Sequence, residues 1–394
     1  MNGTRFIVAG SFIDGSGAEV RRNVFLAVEK SFITAIASAA DLPPQDGATI
    51  DDFSRCTIVP ALVDCSVCLS RSPSVDERVR LSVAEGGEKE KAALMAQHIR
   101  YCHDHGVLAV AESDEITGLL DHLPEGMTRK SLIDIRTAGC PAGGDFLRIR
   151  YSGNIEDDEA PSPRLDQEKL ASLLRQRGAK KAVVLANGRQ QVEEALQAGC
   201  DAIEQGYAMG EDNLRKMAGM GVVWIPSLIR AKNALDGSGS GGAVSCRFSM
   251  RYVAPGKADP GAETFWKKML AEQLAQLRLA RKLGVTTAVG TGAGSVGILH
   301  GESMVEEMKL FIKAGYTVEE TIRCASENGA GFFGLEKLGT LTVGRNATFL
   351  ISRGGVQQLP RKLSYLEGIY VDGAPSTTYR KIPAKKRKNP VKAA

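Results

Sequence analysis

The sequence predicts an α/β protein: a TIM-like (β/α)8 barrel plus a small β-sandwich domain formed by both chain termini. Three observations carry this. From about residue 58 to residue 336, short β-rich runs alternate with helical stretches, the pattern of a parallel sheet wrapped by helices. Strand-patterned segments flank that region at both ends of the chain. And 394 residues, 43% hydrophobic and 24% charged, are enough for one barrel with an accessory domain and a full core. The expected division is 1–57 and 337–379 for the composite sandwich, 58–336 for the barrel and 380–394 for a tail.

Residues 5–37 alternate in strand fashion, with a turn at Asp14–Gly17, and a Pro- and Asp-rich loop follows over 41–52. Thr57–Leu69 (TIVPALVDCSVCL) then reads as the first barrel strand, broken only by Pro60 and Asp64. A helix over 86–105 ends at Gly106 and leads to a strand at Val107–Ala111. Short strands are expected at Ser131–Arg136 and Phe146–Tyr151. Asp166 is placed to cap a helix running to Arg177, with Gly178 as its stop, before the strand Ala182–Ala186. A helix through Ala195–Ala198 leads to Ala202–Glu204, and one over Glu211–Ala218 leads to Val222–Ser227. A long helix over 263–283 precedes the last barrel strand, Val285–Thr291. Helices near 303–314 and 318–333 follow, and strand pattern returns over 339–351 and 366–373. There is no repeat of solenoid period.

Barrels of this kind keep their chemistry where the strands end. Side chains alternate along a strand, so Asp64, Ser66 and Cys68 are expected on one face and Cys65 and Val67 on the other. Cys65 and Cys68 have the spacing of a zinc or redox pair, but a separation of three on a strand points the thiols apart, which favours a buried structural Cys65.

Composition narrows the partners. Of 50 basic residues, seven lie in 380–394 without an acid, which leaves the body 43 against 46, or −3. That tail reads as a disordered solubilising segment, and nucleic acid is expected to meet the protein only there, if at all. No apolar run reaches the length of a bilayer span, and the N-terminal stretch turns polar too soon for a signal peptide. Eight scattered cysteines fit reduced thiols and a cytoplasmic home.

Six landmarks in order give the chain its resemblance: FIDGSGA (12–18), IVPALVD (58–64), EALQAGCDAIEQG (194–206), NLRKMAGMGVVWIPS (213–227), VGTGAGS (289–295) with His300–Gly301, and LGTLTVGRNA (338–347). Over nearly its whole length the chain resembles the amidohydrolase superfamily, in the branch of imidazolonepropionase-like and prolidase-like hydrolases, with Ala61 where that pattern has glycine. The resemblance implies hydrolysis of non-peptide C–N bonds by one or two divalent metals at the strand ends. Their usual ligands are a His-x-His pair, a carboxylated Lys or a Glu, two further His and an Asp. Those positions fall here on Ser66 and Cys68, on Arg148, on Leu185 (with Asn187 two residues on), on Gln205 and on Gly292. The expectation is therefore that the metal set is lost, with no cofactor. The five histidines agree: His98, His103, His105 and His122 lie in or just after helices and are expected at the end opposite the mouth, and His300 in the loop after the eighth strand.

The remaining mouth candidates are Asp64, Cys68 and Arg148 for catalysis, and Ser66, Cys68, Arg148, Asn187, Gln205, Thr291 and His300 for ligand binding. Arg148 offers a fixed cation and a two-pronged donor that pairs with Asp64 or Glu204, or binds a small anionic ligand. Beside it Cys68 is a candidate nucleophile, although no His stands ready to carry its proton. His98, Cys102, His103 and His105 crowd one helix end, where a helix C-terminus favours positive charge over a surface metal site. The loop over 233–252 is expected to overhang the mouth, with Arg247, Arg251 and Tyr252 able to cover a ligand or, equally, to form a disordered insertion. The first expectation is a pseudoenzyme or binding protein that takes a small molecule, a partner protein or its own copy. The alternative is a hydrolase of cyclic amides working without metal through Arg148, Cys68 and Asp64.

Overall fold

A computed structural model describes residues 4–43, 49–125, 127–128, 130–139, 143–153, 165–238, 245–246, 249–250 and 261–379. Arg247, Arg251, Tyr252 and the basic tail lie outside the described residues.

The two termini build one mixed sheet. Strands β1 (Arg5–Phe12), β2 (Arg21–Glu29), β3 (Phe32–Ser38) and β4 (Thr49–Pro60) come from the N-terminal side. Ile7, Phe12, Leu26, Ile58, Phe349 and Ile351 pack on one side of it, and Phe6, Val8, Phe25 and Ala27 form a second cluster, as two-residue alternation requires when both faces are covered. The β1–β2 connection is fixed by Asp14, whose carboxylate accepts from the Ser16 amide at 2.8 Å and hydroxyl at 2.7 Å.

At Ala61 the chain changes sheets. Thr57 and Ile58 pair with Ser11 and Phe12 of the terminal sheet, whereas Leu62 begins the barrel, its amide donating to the Gly106 carbonyl at 2.9 Å. The stretch expected as a single strand is thus the end of β4 and the whole of β5 (Leu62–Val67), three residues past the expected division at 57/58. Pro60, which has no amide to give, closes β4.

The barrel follows in chain order: β5, β6 (Val107–Glu112), β7 (Asp134–Gly139), β8 (Phe146–Arg150), β9 (Ala182–Ala186), β10 (Ala202–Gln205) and β11 (Val223–Ile225), all parallel. Residues 285–293 occupy the eighth position without forming a regular strand. They close the barrel by single bonds to both neighbours: Trp224 N–H to Thr286 O (2.9 Å), Cys65 N–H to Val289 O (2.9 Å) and Gly292 N–H to Ser66 O (2.7 Å). Gly290 allows the close approach, since a Cβ there would stand 2.4 Å from Ile225.

Outside lie α1 (Glu77–Glu85), α2 (Glu88–Asp104), α3 (Thr117–Leu120), α4 (Gln167–Gln176), α5 (Arg189–Gln197), α6 (Glu211–Met220), α7 (Leu228–Ser238), α8 (Ala262–Leu283), α9 (Glu302–Lys313), α10 (Val318–Cys324) and α11 (Glu327–Phe333). Asp166 caps α4 as expected, accepting from the Lys169 amide at 2.6 Å. The helix expected over 318–333 is two helices, because the chain breaks at Ala325–Ser326. The hairpin β12 (Ser245–Cys246) and β13 (Ser249–Met250) lies after α7. Of the β pattern over 339–351 only β14 (Phe349–Arg353) is a strand; with β15 (Leu366–Val371) and β16 (Ala374–Pro375) it completes the terminal sheet in the order β16-β15-β14-β4-β1-β2-β3.

A buried cluster takes side chains from every barrel strand: Val63 and Cys65, Ala109 and Ala111, Ala138, Phe146, Val183, Ala202, Val223 and Ile225. Phe333 closes it from α11, its ring centre 5.0 Å from that of Phe146. Among the described residues no helix is long and apolar enough to cross a membrane.

Candidate functional site

The interior turns polar where β5 ends. Alternation fails there, because the β5–β6 register slips between Asp64 and Val67. Asp64 therefore does not join Ser66 but turns to the eighth position, accepting from Thr291 N–H (2.8 Å) and Thr291 Oγ1 (2.6 Å) and from its own neighbour Ser66 N–H (3.2 Å). Burial pushes its carboxyl up to about 6 against those three bonds.

Ser66 points into the mouth and donates to Glu204 Oε1 at 2.7 Å. Arg148 grips the same carboxylate from across the barrel, Nε to Oε2 at 2.7 Å and Nη2 to Oε1 at 3.0 Å. Of the two partners foreseen for Arg148, Glu204 is the one it meets. The pair is buried, with side-chain exposures of 10% and 1%. Burial alone would raise the Glu204 carboxyl, but the guanidinium beside it holds it below the usual range.

Arg230, which the sequence reading missed, enters from the first turn of α7. A Cβ built on Gly292 would lie 2.2 Å from its Nη2, so the guanidinium fills the space a side chain at 292 would need. Gly292 also has φ +70°, which suits glycine. The signal was present: Arg230 is a lone charge in the apolar run Ile225–Ala231. Behind it Glu307 of α9 accepts from the Leu228 and Ile229 amides at 2.8 and 2.6 Å and so anchors the start of α7.

On the next side of the mouth, Asn187 Nδ2 donates to Gln205 Oε1 at 2.7 Å and Asn187 Oδ1 accepts from Tyr207 N–H at 3.0 Å. Gln205 holds φ +68°, a left-handed position, and its carbonyl accepts from Trp224 Nε1 (2.9 Å) and Gln273 Nε2 (2.8 Å). Leu185 is fully buried.

Cys68, Glu112 and Asp114 bring one ligand atom each to within 4.8 Å of one another, the described residues' one such His/Cys/Asp/Glu grouping. Their donors are occupied. Glu112 accepts from the Leu69 (2.7 Å) and Asp114 (2.9 Å) amides, and Asp114 is held at both oxygens by Arg71 (2.6 and 2.8 Å). Burial and the two carboxylates push the Cys68 thiol far up, more than Arg71 and Arg148 pull it down, which works against the thiolate a nucleophile needs. Cys65 and Cys68 are both free thiols; Cys65 sits in the apolar interior, its Sγ 2.6 Å from where a Cβ on Gly329 would stand.

His98 corrects the expectation that it lies at the opposite end. His98 stacks on His300, ring centres 3.7 Å apart and 13° from parallel, and the two meet the consecutive carbonyls of Leu69 (2.7 Å) and Cys68 (3.0 Å) directly behind the strand end. Burial lowers both, and His98 lowers His300 further, so two neutral rings brace the loop after β5. His300 thereby supports the strand end through Nε2, while its buried Nδ1 has no hydrogen-bond partner among the described residues.

Residues 167–381, more than half of the chain, match the family model described as amidohydrolase family. In structure the chain is similar to a Xaa-Pro dipeptidase with methionine bound in its active site, at 18% identity and TM-score 0.77, over 95% of this chain and 100% of that one. It is similar to the ochratoxinase of A. niger at 15% identity and TM-score 0.73, over 95% of each chain. It is also similar to a molinate hydrolase at 15% identity and TM-score 0.73, over 99% of each. No curated protein matches it significantly in sequence.

Proposed function

The chain belongs to the amidohydrolase family, and on that premise we propose that it is a metal-free member whose barrel mouth binds and does not hydrolyse. One observation supports the reading: the buried Arg148–Glu204 pair, bonded also to Ser66, occupies the mouth where the family resemblance puts two metal ligands, at Ser66 and Arg148. A buried guanidinium supplies there the positive charge that a metal would bring, and it repels one.

The other ligand positions point the same way. Burial pushes the Cys68 thiol up, Leu185 is apolar, Gln205 accepts from Asn187 through its amide oxygen, and Gly292 has no side chain and no room for one. This donor set does not fit a divalent metal.

The ligand class we favour is a small carboxylate or phosphate that competes with Glu204 for Arg148, beside Arg230. Assembly with a partner protein or a second copy, and cytoplasmic residence, belong to the same proposal, with the basic tail the one place for nucleic acid. A second reading rests on two strand-end carboxyls that burial raises, Asp64 to about 6 and Glu112 to about 8, the range of proton carriers near neutrality. They would serve metal-independent opening of a cyclic amide.

Metal analysis decides first. Protein purified without chelator, then incubated with zinc or manganese and desalted, is expected to retain far less than one metal per chain; stoichiometric retention overturns the proposal. Turnover of small lactams or hydantoins that disappears in Glu112→Gln would favour the second reading over the first.

A further inference from the structure

At the other end of the barrel a second constellation stands apart from the mouth. His103, near the end of α2, is buried at 2% exposure, and its Nδ1 lies 3.2 Å from Asp104 Oδ1. Its Nε2 lies 2.9 Å from the Oγ of Ser376, 273 residues later in the chain, just after β16. The Gly106 carbonyl, two residues past α2, accepts from Leu62 where β5 begins, which places this group at the start of the strands. Ser376 is fixed by its own backbone, whose amide donates to the Ile369 carbonyl at 2.8 Å. Thr378 Oγ1 stands 3.0 Å from Ser376 Oγ and 3.4 Å from His103 Nε2.

We propose that Ser376, His103 and Asp104 form a nucleophile–base–orienter relay, a second reactive site that accepts acyl or phosphoryl groups from activated small esters. One tautomer satisfies the geometry: His103 Nδ1–H donates to Asp104, and Nε2 accepts from the Ser376 hydroxyl. This is the arrangement that activates a serine. A contact that only docked the C-terminal chain would need the Ser376 bond alone and no carboxylate on the far ring nitrogen. The nucleophile is reachable, since Ser376 is partly exposed and Asp104 is 40% exposed.

In the acyl step Ser376 Oγ bonds to the carbonyl carbon while its proton passes to His103 Nε2. The tetrahedral adduct collapses, the ester C–O bond breaks, and the same proton leaves with the alcohol. Water then attacks the acyl-serine by the same route and regenerates the hydroxyl. The substrates that suit such an open site are those with good leaving groups: aryl esters, and phosphonofluoridates, where Oγ bonds to phosphorus, the P–F bond breaks and fluoride leaves with the serine proton.

The test uses the full chain with a fluorophosphonate probe and with p-nitrophenyl acetate. Expected are one label per chain, mapped to Ser376, and an acyl burst of the same size, both absent in Ser376→Ala. In Asp104→Asn, which keeps a hydrogen-bonding group at a part-exposed position, labelling should slow on the order of 10- to 10⁴-fold with an unchanged melting curve. His103→Gln is scored only alongside its own melting curve. Labelling at another residue, labelling undiminished in Ser376→Ala, or a wild-type rate in Asp104→Asn would each overturn the proposal.

Discussion

The lower and upper halves of the barrel interior share the same strands and obey opposite rules. Below, Val63, Ala109, Phe146, Val183, Ala202 and Val223 close the space with apolar contacts. Above, Ser66, Arg148 and Glu204 close it with a buried ion pair, with Asp64–Thr291 and Asn187–Gln205 alongside. On β8 the change takes two residues, Phe146 to Arg148. The lower layer depends on apolar volume, and apolar side chains of similar total size can replace one another there. The upper layer depends on partners, so each residue there commits another.

The sharpest way to probe this contrast is to truncate both. Phe146→Ala and Arg148→Ala are each expected to cost ~3–5 kcal/mol by chemical denaturation, the first by opening a cavity and the second by stranding the Glu204 carboxylate. Removing both partners separates the causes: Arg148→Met with Glu204→Leu is expected to fall within ~1 kcal/mol of wild type or above it. If Arg148→Ala alone is harmless, the upper layer is not a paired network and the contrast fails.

Next in size is Gly292→Ala, which meets both φ +70° and the Arg230 guanidinium and is expected to cost ~1–3 kcal/mol by the same assay.

The smallest effect concerns protons. Burial raises Asp64 from 3.8 to about 6, and Glu112 and Glu307 from 4.5 to about 8. Their folded values lie above the unfolded ones, so the native state binds these protons more tightly. Their contribution is complete below the unfolded values and is lost as pH rises through 6 and then 8. Glu307→Gln should therefore flatten the decline of the melting midpoint from pH 6 to 9 by ~2–4 °C. A midpoint that climbs across that window in the wild type would refute the assignment.

Most elements were legible because period-two and helical patterns are local properties. The helices α4, α6 and α8 sit within a few residues of their expected bounds, since Asp166, Gly221 and Gly284 mark their ends. The sheet change at Ala61 was not legible, because Thr57–Pro60 and Leu62–Val67 are both apolar β-formers and nothing local says which neighbour each will take. Helix α1 escaped for the reverse reason: it buries none of its residues, so no apolar stripe announces it. At the mouth, Arg148 and Glu204 could be named, but their pairing depends on strands 56 residues apart. Arg230, Glu112 and Asp114 were passed over because none stands at a family ligand position, and their partners are a glycine's empty space, two backbone amides and the Arg71 side chain.

The order of the terminal sheet also bears on how this chain is made. β4 lies at the middle of that sheet, parallel to β1 on one side and antiparallel to β14 on the other. During synthesis β1 to β4 emerge early, but the strand that covers the open side of β4 begins only at Phe349. For almost three hundred residues the nascent protein carries a long, partly apolar edge with unpaired amides, the kind of edge that recruits other strands. Release of a stable molecule from the ribosome therefore waits on β14, and a chain cut short before it should aggregate even when every barrel strand has been made.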